Sequence, residues 1–362
     1  MSAPRPNSGI LEISPYVGGK SGEGESGRAA KLSANENALG ASPKAVEAYR
    51  AAATELHRYP DGGSTALRQA IGRRYNIGPE RIVCGAGSDE LIGLLTRAYA
   101  AGGDEVLYSA HGFLMYRLSA LAAGATPVAA PEKRLRADVD ALLAHVTSRT
   151  RIVYVANPNN PTGSYLSGEE LRRLHAGLPE DVLLVIDAAY AEFVEAEDYD
   201  SGLALALEHE NVVMTRTFSK LHGLAALRVG WAAGSRSAID VLNRTRGPFN
   251  VGHPSQAAAI AAMEDLEHQK RSLAHNREWL AWLARELAAL DLTVHPSVGN
   301  FLLVEFTRES GRDASAAAAF LEKRGIIPRE VGGYGLGHCL RISVGLEEEN
   351  RRVVEILREF LQ

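Results

Sequence analysis

The sequence predicts an α/β fold, a mostly parallel sheet covered on both faces by helices, with a smaller α+β module after it. Three observations carry this. From about residue 65, stretches of helical periodicity alternate with short β-branched runs, the pattern of parallel strands joined by crossover helices. A long helical pattern rich in Ala and Leu then runs from 254 to 290. Beyond it the pattern changes to two strand-like runs, each followed by a helix, which suits a separate compact module.

The elements follow in order. The first thirty residues are rich in Gly, Ser and Pro, and GGKSGEGESG at 18–27 reads as a mobile surface segment. Strand-like runs are RIVC (81–84), DEVLY (104–108), RIVYVA (151–156), VLLVID (182–187) and NVVMTR (211–216). Helical periodicity marks 65–75, 89–101, 114–123, 137–147, 167–177 and 235–244. The terminal module reads NFLLVEF (300–306), a helix at 313–325, CLRISVG (339–345) and a helix at 347–361. The sequence shows no internal repeat.

Composition excludes several classes of function. The 362 residues, 46% hydrophobic and 23% charged, have the balance of a soluble globular protein with one large domain and a smaller one. A net charge of −5 with dispersed basic residues leaves no footprint for nucleic acid, so small-molecule partners are expected. Cys84 and Cys339 are too few for a disulfide framework or a cysteine-ligated metal site, and a reducing cytoplasm is the expected compartment. The N-terminal MSAPRPNSGILEISPYVGG lacks an apolar signal core, and no uncharged apolar run reaches the roughly 18 residues of a membrane span. Neither export nor membrane insertion is expected.

In an open α/β sheet ligands gather beyond the carboxyl ends of the strands, and unusual residues stand there. RIVC runs into GAGSDE (85–90), where Ser88 is placed to cap a helix whose free N–H groups suit a phosphate. A plain structural cap explains the same residues, and the turn is not G-x-G-x-x-G. RIVYVA ends in NPNNPTG (157–163), whose Asn side chains can bond their own backbone or reach a ligand. VLLVID ends in Asp187, with Tyr190 after it; an acid there is costly unless solvated or paired, and a helix cap is the ordinary explanation. NVVMTR leads into TRTFSKLHGLAALRVGW (215–231), with Lys220 at the same end of the sheet and Arg228 eight residues on. An amine shielded by apolar neighbours or another cation loses its proton readily and can form a Schiff base, whereas an isolated lysine is ordinarily a surface residue. Arg228 offers a permanent cation with a fork suited to phosphate. Together these are the parts pyridoxal phosphate needs: helix N–H groups and a cation for its phosphate, an acid for its ring nitrogen and an amine for its aldehyde.

Over nearly its whole length the chain resembles the fold-type I, class II pyridoxal-phosphate aminotransferases, and within them the histidinol-phosphate aminotransferases. The motifs are ISPYVGGKS (13–21), SANENALG (33–40), HRYPDGGSTALRQAI (57–71), GAGSDE, NPNNPTG, the Asp187 to Tyr190 spacing, the lysine segment, NFLLVEF and CLRISVG. The resemblance implies a seven-stranded, mostly parallel sheet in a large domain at 46–290, a small domain at 291–362, and an arm at 1–45 that adds to the small domain. It implies that Lys220 carries the cofactor and moves protons, that Asp187 pairs with the pyridine nitrogen, and that Asn160 and Tyr190 bond the ring's 3-oxygen. Phe113 would stack on the ring, and Gly87, Ser88, Asp89, Thr217, Ser219 and Arg228 would surround the phosphate. Tyr59 would reach that phosphate from the other subunit of a homodimer. Arg341, with Arg329 and Asn35, would hold substrate, and no metal is implied. The implied reaction passes the amino group of glutamate to imidazole-acetol phosphate, giving histidinol phosphate and 2-oxoglutarate, in histidine biosynthesis.

Several positions depart from the family pattern. His111-Gly112 stands where Pro-Thr is frequent, Ala188 replaces a Glu, His222 and Ala226 replace aromatic and Gly residues, and Gly18 replaces a proline. None removes a catalytic group, but all bear on substrate preference. The alternatives are therefore an aromatic (Phe/Tyr) aminotransferase, a phospho-amino-acid decarboxylase, and a cofactor-binding regulator without turnover. Against the last, every expected catalytic position is filled and no DNA-binding segment is appended.

Overall fold

The computed structural model describes residues 6, 8–14, 23–24 and 27–362. Most of GGKSGEGESG and of the ISPYVGGKS match, including Gly18, lies outside the described residues. The central sheet has seven strands: β1 Ile82–Gly85, β2 Glu105–Ser109, β3 Thr126–Ala130, β4 Thr150–Ala156, β5 Leu183–Asp187, β6 Val212–Thr217 and β7 Gly230–Gly234. Their spatial order is β1-β7-β6-β5-β4-β2-β3, and only β7 runs against its neighbours.

Alternation along the strands divides the core in two, because successive side chains point to opposite faces. Val83, Val106, Ile152, Val185, Val213 and Ala232 pack on one face with α3 (Ser88–Tyr99), α4 (Leu114–Ala122) and α8 (Arg236–Thr245). Cys84, Leu107, Val153, Leu184, Met214 and Ala233 face the other layer, which includes α1 (Pro43–Ala52), α2 (Thr65–Tyr75), α5 (Val139–Ala144), α6 (Gly168–Gly177), α7 (Leu203–Glu208) and α9 (His253–Glu264). Asp187, Thr215 and Thr217 share the parity of Val185 and Val213, so they emerge on the α3/α4 side at the strand tips.

The single helix expected over 254–290 is two helices, α9 and α10 (Leu266–Ala288). Asp265 breaks them with a non-helical backbone, ψ 73°, and accepts from the N–H of His268, starting the second helix. β3 and β7 carry no β-branched run: TPVAA is a partly exposed edge strand, and GWAAG is built of small residues around one Trp. Composition alone hides both strands.

The small module is an antiparallel sheet, β8 (Thr293–His295), β9 (Phe301–Glu305), β11 (Cys339–Ser343) and β10 (Arg329–Glu330), in the order β8-β9-β11-β10. Helices α11 (Ala314–Lys323) and α12 (Glu347–Leu361) cover it. Ala30 and Leu32 from the start of the chain and Leu283 and Leu287 from α10 join its apolar cluster. Ala30–Lys31 also pairs in parallel with Ile326–Ile327.

Candidate active site

The carboxyl tips of β1, β2, β4, β5 and β6 and one strand of the small module converge on a single cavity of about 230 Å³. Twelve of the residues singled out in the sequence line it: Asn35, Ser88, Asp89, Phe113, Asn160, Asp187, Tyr190, Thr217, Ser219, Lys220, Arg228 and Arg341.

One end is an anion cup. Gly87 precedes α3 with φ +86°, a conformation that favours glycine, and a Cβ there would run into the Arg228 guanidinium. Gly87 takes the N-cap position and Ser88 is the first residue of α3, which corrects the expectation that the Ser88 hydroxyl caps the helix. The Glu90 carboxylate accepts from the N–H of Ala86 instead, at 2.6 Å. This leaves Ser88 facing the cavity at the start of a twelve-residue helix, whose first N–H groups carry positive partial charge. Arg228 Nη1 donates to Ser219 Oγ at 3.3 Å, and its Nη2 donates to Asp89 Oδ2 at 3.2 Å.

Asp187 sits at the centre. It caps no helix: its carboxylate accepts from Tyr116 Oη at 2.9 Å and from Thr215 Oγ1 at 3.1 Å. Thr215 is its register partner on β6, which makes the second bond a direct cross-strand contact. Burial pushes the carboxyl up to about 6, against the pull of the Tyr116 and Thr215 bonds, so near neutral pH it is mostly an anion. Burial, and then the Asp187 charge, push the Tyr116 phenol well above its usual range, keeping it a donor. Sequence reasoning missed Tyr116 and Thr215. Thr215 was legible as the residue with the parity of Val213 at the tip of β6, whereas nothing local marks Tyr116.

At the other end Lys220 Nζ donates to Ala34 O at 3.0 Å and lies 5.6 Å from the Tyr190 ring centroid. Burial, then the Arg341 charge, pull its amine down to about 8. Tyr190 accepts from Asn35 Nδ2 at 2.8 Å, and burial raises its phenol to about 12. Asn35 is fully buried with φ +55°; its backbone N–H and its Oδ1 both bond the Ser343 hydroxyl. Arg341, on β11, is 6% exposed and donates to Asn160 Oδ1 and to Ser33 O. Of the loop asparagines, Asn157 bonds Leu166 and Asp200, and Asn159 bonds His111 O and Thr162, leaving Asn160 for the cavity.

Two expected residues stand apart. Tyr59 is 81% exposed and stacks on Phe249, with ring centroids 4.7 Å apart. Arg329 is the register partner of Arg341 but does not line the cavity. The departing positions His111, Gly112, Ala188, His222 and Ala226 do not line it either. His222 packs on Phe218 in the core, where burial pulls its imidazole down to about 4. Cys84 and Cys339 are free and buried, and burial raises both thiols to about 12. Among the described residues no helix is long and apolar enough to cross a membrane, and no cluster of metal-ligating side chains occurs.

The chain belongs to the family of class I and II aminotransferases, whose family model matches residues 29–357. It is 58% identical over 361 residues to a histidinol-phosphate aminotransferase from Paramagnetospirillum magneticum, covering all of this chain and 99% of that one. A histidinol-phosphate aminotransferase from Rhodospirillum centenum is also 58% identical, with both chains covered completely. Among solved structures, the Sinorhizobium meliloti histidinol-phosphate aminotransferase in complex with pyridoxal-5'-phosphate superposes with a TM-score of 0.88. It is 30% identical and covers 97% of this chain and 96% of its own.

Proposed function

We propose that this chain is a pyridoxal-phosphate-dependent transaminase that interconverts histidinol phosphate and 2-oxoglutarate with imidazole-acetol phosphate and glutamate. The observation that carries the cofactor is a donor set matched to its three polar ends. The α3 terminus, Ser88, Thr217, Ser219 and Arg228 form an anion cup, Asp187 is a buried carboxylate, and Lys220 is a buried amine. When bound, the cofactor's protonated ring accepts the electron pair left on the substrate carbon as a proton departs. Asp187 would hold the ring nitrogen's proton, because a carboxylate in this dry setting stabilises a cation beside it. Tyr190 and Asn160 would donate to the ring oxygen, and Phe113 would cover one face. Lys220 Nζ, with its proton loosened, would accept a proton from the substrate carbon and return it one step later.

Arg341 would grip the anionic end of either substrate, the carboxylate of glutamate or the phosphate of histidinol phosphate, with Arg329 and Asn35 supporting it. The choice of substrate rests on the relatives' names at 58% identity and on the absence of His111, Gly112, Ala188, His222 and Ala226 from the cavity lining. Three further readings go with this one. The exposed stacked pair of Tyr59 and Phe249 supports a homodimer in which Tyr59 reaches the partner's phosphate cup. We also read an arm at 1–45, a large domain at 46–290 and a small domain at 291–362; the separate apolar clusters support two packed units, with Leu283 and Leu287 at the end of α10 packing on the small one. The buried free thiols suit the cytoplasm.

The test is a single-turnover comparison of the loaded enzyme with histidinol phosphate and with phenylalanine, following the cofactor's absorption. Much faster conversion by histidinol phosphate supports the assignment. Conversion by phenylalanine alone would make the enzyme an aromatic aminotransferase.

A further inference from the structure

His111 stands two residues before Phe113, and the cavity does not use it. The structure gives it another partner. Glu132 takes the His111 segment in a two-point grip: Oε1 accepts from the His111 backbone N–H at 3.0 Å, and Oε2 meets His111 Nδ1 at 2.8 Å. The Glu132 side chain is only 3% exposed, so this carboxylate is committed to the contact rather than to water. On the opposite side Asn159 Nδ2 donates to His111 O at 3.0 Å, and Gly112 N donates to Ser109 O at 2.7 Å. The turn that delivers Phe113 to the cavity is therefore clamped from both sides.

Glu132 also opens the hairpin Glu132–Ala137, whose turn residues Arg134 and Leu135 both have left-handed backbones, with φ of 52° and 59°. Two non-glycine residues in that region are strained and persist where surrounding contacts hold them. The contact is visible: Leu135 packs on the small-module cluster of Leu303, Val331, Leu336 and Cys339, and its carbonyl accepts from Ser164 Oγ at 2.9 Å. One rigid hairpin thus touches the small module at its tip and the Phe113 turn at its base.

We infer that His111 and Glu132 are positioning residues that set the pose of Phe113 over the cofactor ring and tie it, through this hairpin, to the small module. The inference rests on the reading of Phe113 as the ring-covering residue. Both points of the grip belong to His111: its backbone N–H and its imidazole Nδ1.

The test uses the circular dichroism of the cofactor band in the loaded enzyme and cofactor affinity by titration of the stripped full chain. Phe113→Ala calibrates both readouts. Glu132→Ala and His111→Ala should each weaken the cofactor by about tenfold, as loss of charge-assisted hydrogen bonds does, and alter the band in the direction that Phe113→Ala does. Glu132→Gln, which can still bond both His111 atoms, should stay within about threefold, and the double Ala variant should be no weaker than either single. Leu135→Ala should alter the band in the same direction by a smaller amount, and an unchanged band would overturn the link to the small module. A lowered melting temperature with the band and affinity unchanged would show a merely structural pair and overturn the inference. If Glu132→Ala does not fold, His111→Ala decides, because its side chain is partly exposed. Should Phe113→Ala itself change neither readout, the reading of Phe113 fails; if it changes both and the pair changes neither, only the pair fails.

Discussion

The two ends of the cavity, read as anion sites, are built by different constructions. The cup around Ser88, Thr217, Ser219 and Arg228 comes from the tips of one sheet: Ser219 and Arg228 bond across nine positions, and the Arg228–Asp89 pair, across 139, closes the cup between strands of that same sheet. The grip around Arg341 is assembled from afar: Arg341 reaches Asn160 across 181 positions and Ser33 across 308, and Asn35 is fastened to Ser343 across 308. A resident cofactor favours the first kind of site, fixed by a sheet that does not move. A substrate that must leave favours the second, whose geometry depends on how two modules sit against each other.

The largest effect separates chemistry from both ends. Lys220→Ala removes the amine and should lower turnover by about 10⁴-fold, while the cup should still bind inorganic phosphate or the cofactor non-covalently. Turnover that survives would end the assignment of Lys220.

Next, the comparison predicts opposite consequences for the two arginines. Arg228→Leu should weaken the cofactor by about 10–100-fold with little change in substrate KM once the enzyme is saturated. Arg341→Leu should raise substrate KM by about 10–100-fold and leave cofactor affinity near wild type. It should also let Lys220 hold its proton more tightly, because the Arg341 charge helps pull that amine down to about 8. Cofactor capture by the stripped chain needs the neutral amine, so its rate should rise with pH and level off above about 8. In Arg341→Leu the plateau should move to higher pH. If both arginines altered the same parameter, the two ends would be one electrostatic unit.

The same contrast explains what the sequence made legible. Each half of the cup could be read from local order, because a strand, a glycine turn and a helix place Gly87, Ser88 and Asp89 together, and Thr217, Ser219 and Arg228 follow one strand. Asp187 and Lys220 were legible as charged residues at the ends of apolar strands. Tyr116 was not, because its link to Asp187 spans 71 positions and lies inside a helix that reads as ordinary core. The break at Asp265 was also illegible: it lacks glycine or proline, and the Ser42 and Lys44 partners that hold its carboxylate come from the far end of the chain. The strands TPVAA and GWAAG exist because their neighbours in the sheet pair with them, a tertiary cause that local preference cannot report.

The smallest effect concerns the bond that reading missed. Asp187 is raised to about 6 by burial while Tyr116 and Thr215 hold it down, because hydrogen bonds donated to a carboxylate favour its charged form. Tyr116→Phe removes the shorter of the two bonds, so the carboxyl should keep its proton to higher pH. Cofactor affinity of the stripped chain, where it depends on the ionised acid, should then fall by about threefold at pH 6 and stay unchanged at pH 8. Thr215→Val should shift the same curve in the same direction by less. An affinity that fell equally at both pH values would mean that Tyr116 supports the shape of the cavity rather than the charge of Asp187. The centre of the site would then depend on packing within the α3/α4 layer, and not on the strand tips alone.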